Sequence, residues 1–371
     1  MSVKNADLID LIATTLPDLP EQYFEVTWDN TDYEFCRIYQ TERMEVDGGT
    51  NIQRKVMFDD NGNASYCRLF DVDQPNIPDV MDTITVPWTQ LKTHYSWDKL
   101  EIIRNKASAK GFIRLLETRR VAGLWSLAKL IENYAWKSPR NATDDLYPYG
   151  VPYYINHLNR GITAADFSGQ TIRYQNGSTG TVCAGIEAGS TGEAKWRSYA
   201  GTYSNVDNGL LKTFRKAFLV TQFKAPLFIN DPAQKRNAAK RIYCDADTAV
   251  ALQDLADAKD DKHTGKEVLG NIRMDDGALV LINRLPVVYI NQLDGYTDPE
   301  TDEATAPIYC INFEKFIPYV QDGYWMEETE PISGGVTQHT VFTVFLDGSH
   351  NNLCVNRRTC GFVIHKAISA A

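Results

Sequence analysis

The sequence predicts an α+β fold, with strands and helices interleaved along the chain and no internal repeat. Three observations carry that expectation. Short alternating apolar and polar runs recur through most of the 371 residues. The stretch from Trp97 to Ser138 holds no proline and keeps helical spacing throughout. A second, capped amphipathic helix follows a middle region rich in Gly, Ser, Thr and Tyr.

Taken in order, Leu8, Ile9, Leu11, Ile12 and Leu16 share one face of a short helix over residues 7–16 that Pro17 helps to end, a docking arm. Tyr33, Phe35, Arg37 and Tyr39 alternate with Glu34, Cys36 and Ile38, which predicts a strand. Two further strand-like runs, 51–58 and 64–71, flank Asp59-Asp60-Asn61-Gly62-Asn63, whose Asn-Gly core predicts a protruding hairpin. Its arms carry Arg54 and Lys55 on one side and Arg68 on the other. A two-stranded ribbon is marginal alone in water, so something else must hold it down. Thr83-Ile84-Thr85-Val86-Pro87-Trp88 predicts another strand.

Beyond it, Leu100, Ile103, Ala107, Phe112, Leu115, Leu116, Val121, Leu124, Ala128, Ile131 and Ala135 keep helical spacing, with Ser96 as the expected N-cap and Pro139 past the end. A helix of ~40 residues would run about 60 Å, the spine of an elongated subunit, with Gly111 and Gly123 as points where it can bend. Residues 144–205 predict strands and loops. Asp207 then caps a helix whose apolar face is Leu210, Leu211, Phe214, Ala217 and Phe218. A strand over 241–245 feeds a helix over 248–258, and 278–290 predicts two strands around Pro286. After the acidic loop 294–305, strands are expected at 308–313, 338–346 and 360–365.

Composition narrows the function. A content of 43% apolar and 23% charged residues is that of an ordinary globular protein. The 19 tyrosines, 15 phenylalanines and 7 tryptophans suit subunit interfaces as well as cores. A net charge of −10 repels phosphates, which argues against a sequence-reading DNA binder and still permits an acidic wall around DNA. The start lacks a secretory pattern and no apolar run reaches the ~18 residues of a membrane span, so a cytosolic chain is expected. Cys36, Cys67, Cys183, Cys244, Cys310, Cys354 and Cys360 form no C-x-x-C pair, so reduced thiols are expected rather than a disulfide or zinc framework.

Motifs for chemistry are weak. Asp59-x-Asn61-x-Asn63 imitates a calcium loop, but the sixth position is Ala64 and the twelfth is Phe70. Gly265-Lys266-Glu267 lacks the glycine spacing and hydroxyl of a phosphate loop. The six histidines show no ligand spacing, and no nucleophile elbow surrounds Ser178 or Ser190. Glu327, Glu328 and Glu330 are the acids available for sugar hydrolysis, against the plainer reading of a solvated loop. Lys212, Arg215 and Lys216, with Lys235, Arg236, Lys240 and Arg241, read as a solvated helix face or as ion pairs between subunits rather than as phosphate contacts. No catalytic, cofactor-binding or metal-ligating residue is expected.

The order of arm, long hairpin, strand, spine helix, central α+β block and returning strands resembles the major capsid proteins of tailed bacteriophages with the Hong Kong 97-like fold. Several stretches are similar to that family: Val86-Pro87-Trp88 and Tyr95-Ser96-Trp97-Asp98 before the spine, Pro148-Tyr149-Gly150-Val151-Pro152-Tyr153-Tyr154-Ile155 after it, Trp196-Arg197-Ser198-Tyr199, Pro286-Val287-Val288-Tyr289, and Asn356-Arg357-Arg358. The resemblance implies an N-terminal arm over 1–45, an extended loop over 46–83 lying on a neighbour, a peripheral domain over 84–143 and 306–371, and an axial domain over 144–305. It implies a non-enzymatic subunit that joins copies of itself into pentamers and hexamers of an icosahedral head around double-stranded DNA, assembled in the host cytoplasm, without a membrane. A separate scaffolding protein, a portal and decoration proteins are the further partners implied. Interface residues are expected at Arg54, Lys55, Asn61, Gly62 and Arg68 on the ribbon, at Trp97, Arg119 and Arg120 along the spine, and at Arg357 and Arg358. The namesake's lysine–asparagine cross-link would fall on Lys55 with Asn351 or Asn352, without a matching motif. Two rivals stand beside this reading: an encapsulin-like nanocompartment shell, and a soluble β-rich hydrolase.

Overall fold

The computed structural model describes residues 33–59, 63–69, 72, 80–104, 109–222, 240–260, 272–274, 280–283, 285–334 and 338–369. The expected helix over 7–16 and the Asn61-Gly62 turn lie outside them. In chain order the elements are α1 (Glu34–Thr41), β1 (Met44–Val46), β2 (Asn51–Met57), β3 (Met81–Pro87), β4 (Thr89–Asp98), α2 (Lys99–Arg104), α3 (Ala109–Ala135), α4 (Val151–Tyr154), β5 (Asp166–Gly169), β6 (Ile172–Arg173), β7 (Thr179–Gly180), β8 (Val182–Cys183), β9 (Ile186–Glu187), β10 (Ser198–Tyr203), α5 (Asn208–Val220), β11 (Lys240–Cys244), α6 (Ala246–Asp260), β12 (Ile272–Met274), β13 (Val280–Ile282), β14 (Leu285–Tyr289), β15 (Ile308–Asn312), β16 (Phe316–Gln321), β17 (Glu327–Glu328), β18 (Ile332–Gly334), β19 (Gln338–Cys354), α7 (Arg357–Cys360) and β20 (Gly361–Lys366). The class is α+β. Among the described residues no helix is long and apolar enough to cross a membrane.

The chain divides into two compact units, one built from Met1–Gly48, Thr89–Asn133 and Val320–His350, the other from Gly49–Trp88, Tyr134–Tyr319 and Asn351–Ala371. Residues 306–319 and 351–371 belong to the second unit. The reason is pairing: β15 and β20 are inner strands of that unit's sheet.

In the first unit β4 runs antiparallel to β19, in register from Thr89 opposite His350 to Asp98 opposite Val341. This pairing shortens the expected spine. Ser96 and Trp97 face Thr343 and Phe342 across the ladder, so Ser96 is a strand residue and caps nothing. Asp98 takes that role, its Oδ1 accepting from Leu100 N at 2.8 Å. The helix begins at Lys99, and α3 ends at Ala135. The strand expected at 33–39 is the helix α1, because Phe35, Ile38 and Tyr39 are buried at i, i+3 and i+4, a helical rather than an alternating pattern. The carboxylate of the buried Glu132 accepts from Phe35 N at 2.8 Å and so satisfies a free amide at its N-terminus.

The second unit is organised on an eight-stranded sheet in the order β12-β13-β14-β11-β15-β20-β10-β5. Tyr199, Ile242, Cys244, Val287, Ile308, Cys310, Phe362 and Ile364 face one side, where α5 and α6 close a core with Leu210, Leu211, Phe214, Phe218 and Leu252. Asp207 caps α5 as the sequence predicts, its side chain accepting from Gly209 and Leu210 N. The other side carries Tyr243 and Tyr309, covered by Trp136. Pro286 sits within β14 rather than between two strands; the turn falls on Asn283, which takes a left-handed φ of 51°.

Candidate assembly surface

The ribbon differs from its prediction. β2 pairs with β3, Asn51 opposite Pro87 through Met57 opposite Met81, and residues 64–69 form no strand. The Asn-Gly signal was outweighed by burial: Ile52, Ile84 and Val86 share one face and are buried, which a partner drawn from 64–71 would not provide. The root of this ribbon is held by its own unit. Thr85 N donates to Ala184 O at 2.9 Å, Phe58 packs edge-on against Trp196 with centroids 5.6 Å apart, and Lys195 Nζ bonds Asp59 at 2.8 Å. Arg54 is half-buried on the inner face opposite Ile84, whereas Lys55 is exposed on the outer one. Beyond the last rung, Phe58 N to Val80 O, the described loop residues are exposed, Arg68 among them. Tyr66, Leu69 and Val72 stand almost fully in solvent with Met57 and Met81 at the base. Five large apolar side chains are thus exposed on this stretch, more than a soluble monomer commonly leaves in solvent.

In the first unit the strand–helix junction concentrates aromatic and charged groups. Trp97 stacks on Phe342 at 6.1 Å and lies 6.3 Å from Tyr95. Arg119 forks onto Glu101 at 2.8 and 2.9 Å and also donates to Ser96 O. Arg120 forks onto Glu328, to which Tyr95 donates its hydroxyl at 2.6 Å. These bonds hold the Glu101 and Glu328 carboxyls below their usual range, while burial and then Glu328 push the Tyr95 phenol up to about 12. Glu327 and Glu328 are successive residues of β17 and so point to opposite sides, and Glu328 is engaged; they do not form the facing acid pair a glycosidase needs.

Near the C-terminus one expected interface residue turns inward. Arg357 is fully buried, its Nε, Nη1 and Nη2 donating to Tyr154 O, Trp196 O and Gly169 O at 2.9, 2.8 and 3.1 Å. It joins three segments of its own unit and offers nothing to a neighbour. Asn351 and Asn352 are buried as well: Asn351 accepts from Tyr149 N and donates to Pro87 O, and Asn352 donates to Tyr149 O. Neither amide is placed for a cross-link with Lys55. Arg358 is half-exposed, packed over Phe167 at 4.6 Å.

Sequence reasoning missed a buried polar centre in the second unit, because its members are scattered and carry no motif spacing. His157 and His365 stack at 4.5 Å, and Leu158 N donates to His365 Nε2 at 3.0 Å, which keeps that nitrogen unprotonated. His157 Nε2 meets Tyr309 Oη at 3.1 Å, and Arg173 Nε lies 2.9 Å from Asp298. Burial pushes both imidazoles down, His365 well below its usual value. For Asp298 burial acts upward, but His157 and Arg173 outweigh it and hold the carboxyl low. The adjoining cavity, about 10 Å³, has room for one water and none for a sugar or peptide.

No family model and no curated protein matches the chain. Among solved structures, its fold is similar to that of a chain in the capsid asymmetric unit of cyanophage A-1(L), with a TM-score of 0.56 and 14% identity over 99% of both chains. A chain from the capsid of a native GTA particle, reconstructed with C5 symmetry, gives a TM-score of 0.52 and 12% identity over 95% of this chain and 96% of that one. At such identities the likeness is one of fold.

Proposed function

We propose that this protein is a major capsid protein, a structural subunit that assembles with copies of itself into the icosahedral head of a tailed double-stranded DNA bacteriophage. The observation that carries the reading is end-to-end agreement of fold with capsid chains, covering 99% of this chain in one case and 95% in the other. The exposed Tyr66, Leu69 and Val72 support it, since a neighbouring subunit would cover them. The work of such a protein is geometric. Copies meet head to tail through different patches, and where the rotation closes they form rings of five and six.

On this reading the exposed end of the ribbon, with Lys55 and Arg68, lies on an adjacent copy. The first unit, with Trp97, Arg119 and Arg120, joins ring to ring as the peripheral part of a Hong Kong 97-like fold, and the second unit lines the ring centres. Packaged DNA meets a predominantly acidic wall, and a portal, a scaffolding protein and decoration proteins complete the particle, assembled in the host cytoplasm. Size-exclusion chromatography and negative-stain microscopy of the purified chain, alone and with a co-expressed scaffolding protein, test the reading. Particles hundreds of ångströms across are expected; a monomer that stays dispersed under both conditions overturns it.

A further inference from the structure

Among the described residues, two helices of the second unit carry exposed stripes of opposite charge. Helix α5 packs against β10 and β20, and α6 packs against β12, β13 and β14, so they cover opposite ends of the strand order. Both bury their apolar faces in the same core and therefore turn their outer faces away from the same side of the sheet. Along α5 the residues Lys212, Lys216 and Leu219 fall at i, i+4 and i+7, all exposed, with Lys216 also donating to Ala165 O at 2.8 Å, and no acid occurs anywhere in this helix. Along α6 Asp247, Val250 and Asp254 are exposed at i, i+3 and i+7, and the only base in that helix is Lys259, followed by Asp260. Each stripe also carries an apolar side chain out in solvent: Leu219 is 74% exposed and Val250 55%.

We propose that the cationic face of α5 in one copy binds the anionic face of α6 in the next, as the two unlike halves of a head-to-tail contact. The inference rests on the shell reading above and supplies its chemistry. A chain with a net charge of −10 repels its own copies, so contact requires that an acidic surface meet a local patch of opposite sign. Cations on one helix and acids on the other give that match in one orientation only, since α5 against α5 or α6 against α6 sets like charges face to face. The same pairing cannot be satisfied within one molecule, whose two helices leave the same side of the sheet at its opposite ends. Leu219 and Val250 lie beside the charges and lose water when the faces meet.

Charge exchange tests this. Three variants are compared with the wild type for yield of rings and particles: Lys212→Glu with Lys216→Glu, Asp247→Lys with Asp254→Lys, and all four substitutions together. Far-UV circular dichroism and thermal melts of the unassembled fractions establish that each one folds. Each two-site reversal is expected to lower assembly at least tenfold, and the fourfold exchange to return it to within about threefold of the wild type. Raising the salt to about 1 M, where the screening length is about 3 Å, should weaken wild-type assembly in the same direction. Folded reversal variants that assemble like the wild type overturn the pairing of α5 with α6, as does a folded fourfold variant that stays as impaired as the two-site ones. A wild-type chain that forms no particles under any condition instead removes the shell reading, and this inference with it.

Discussion

Arg357 shows how far a residue's role can lie from its charge. A guanidinium spreads three donors toward Tyr154 O, Trp196 O and Gly169 O, whereas an ammonium is a point charge that reaches fewer of them. Arg357→Lys is therefore expected to destabilise the chain by about 2–4 kcal/mol, read as a lower urea midpoint, because buried carbonyls lose their donors. The histidines give a pH dependence at the same scale. Burial alone pushes His350 down to about 4, against an ordinary value near 6.5 for the unfolded chain. Stability is then full above about pH 6.5 and falls as the pH drops toward 4, because the unfolded chain takes up a proton that the folded one refuses, a loss of at most about 3 kcal/mol. His157 and His365 shift in the same direction. Urea midpoints measured from pH 7 to 4 should decline, and His350→Leu should flatten part of the slope; an unchanged slope would mean that this imidazole does not resist protonation.

At the scale of elements, the ribbon separates what the subunit stabilises from what a neighbour must. Its root is tied to the unit by Thr85, Phe58 and Lys195, so β2 and β3 are expected to resist amide exchange in the free subunit. The loop has no such ties at Tyr66 or Leu69. Tyr66→Ser with Leu69→Ser should leave the melting of the free subunit within about 0.5 kcal/mol of the wild type while cutting particle yield severalfold, measured by sedimentation. A destabilised free subunit would show instead that these side chains pack at home. The end of α3 makes the reverse case. A Cβ on Gly150 would stand 2.2 Å from Lys137 O and 2.6 Å from Ala135 O, both backbone, so Gly150→Ala is expected to lower the melting temperature of the free subunit by several degrees.

For the whole molecule, assembly and stability are linked, since a shell binds the folded chain and not the unfolded one. Assembled particles should melt above the free subunit by calorimetry, with a smaller gap for the Tyr66→Ser, Leu69→Ser variant. Periodicity alone was enough to read the Asp207-capped helix with its face of Leu210, Phe214 and Phe218, the strands expected at 308–313 and 360–365 and found at 308–312 and 361–366, and the α+β class. Local pattern misled wherever a distant segment competed. Tyr33 to Tyr39 alternates loosely as a strand would, yet Glu132, 97 residues away, rewards the helix by accepting from Phe35 N. Ser96-Trp97-Asp98 reads as a helix start until β19 pairs with it across more than 240 positions, and β2 takes β3 rather than the nearer run because only β3 brings Ile84 and Val86 to the buried face. Hydrophobic spacing is set by the element a residue belongs to, whereas pairing, capping by remote carboxylates and the burial of Arg357 depend on which surfaces the folded chain brings together.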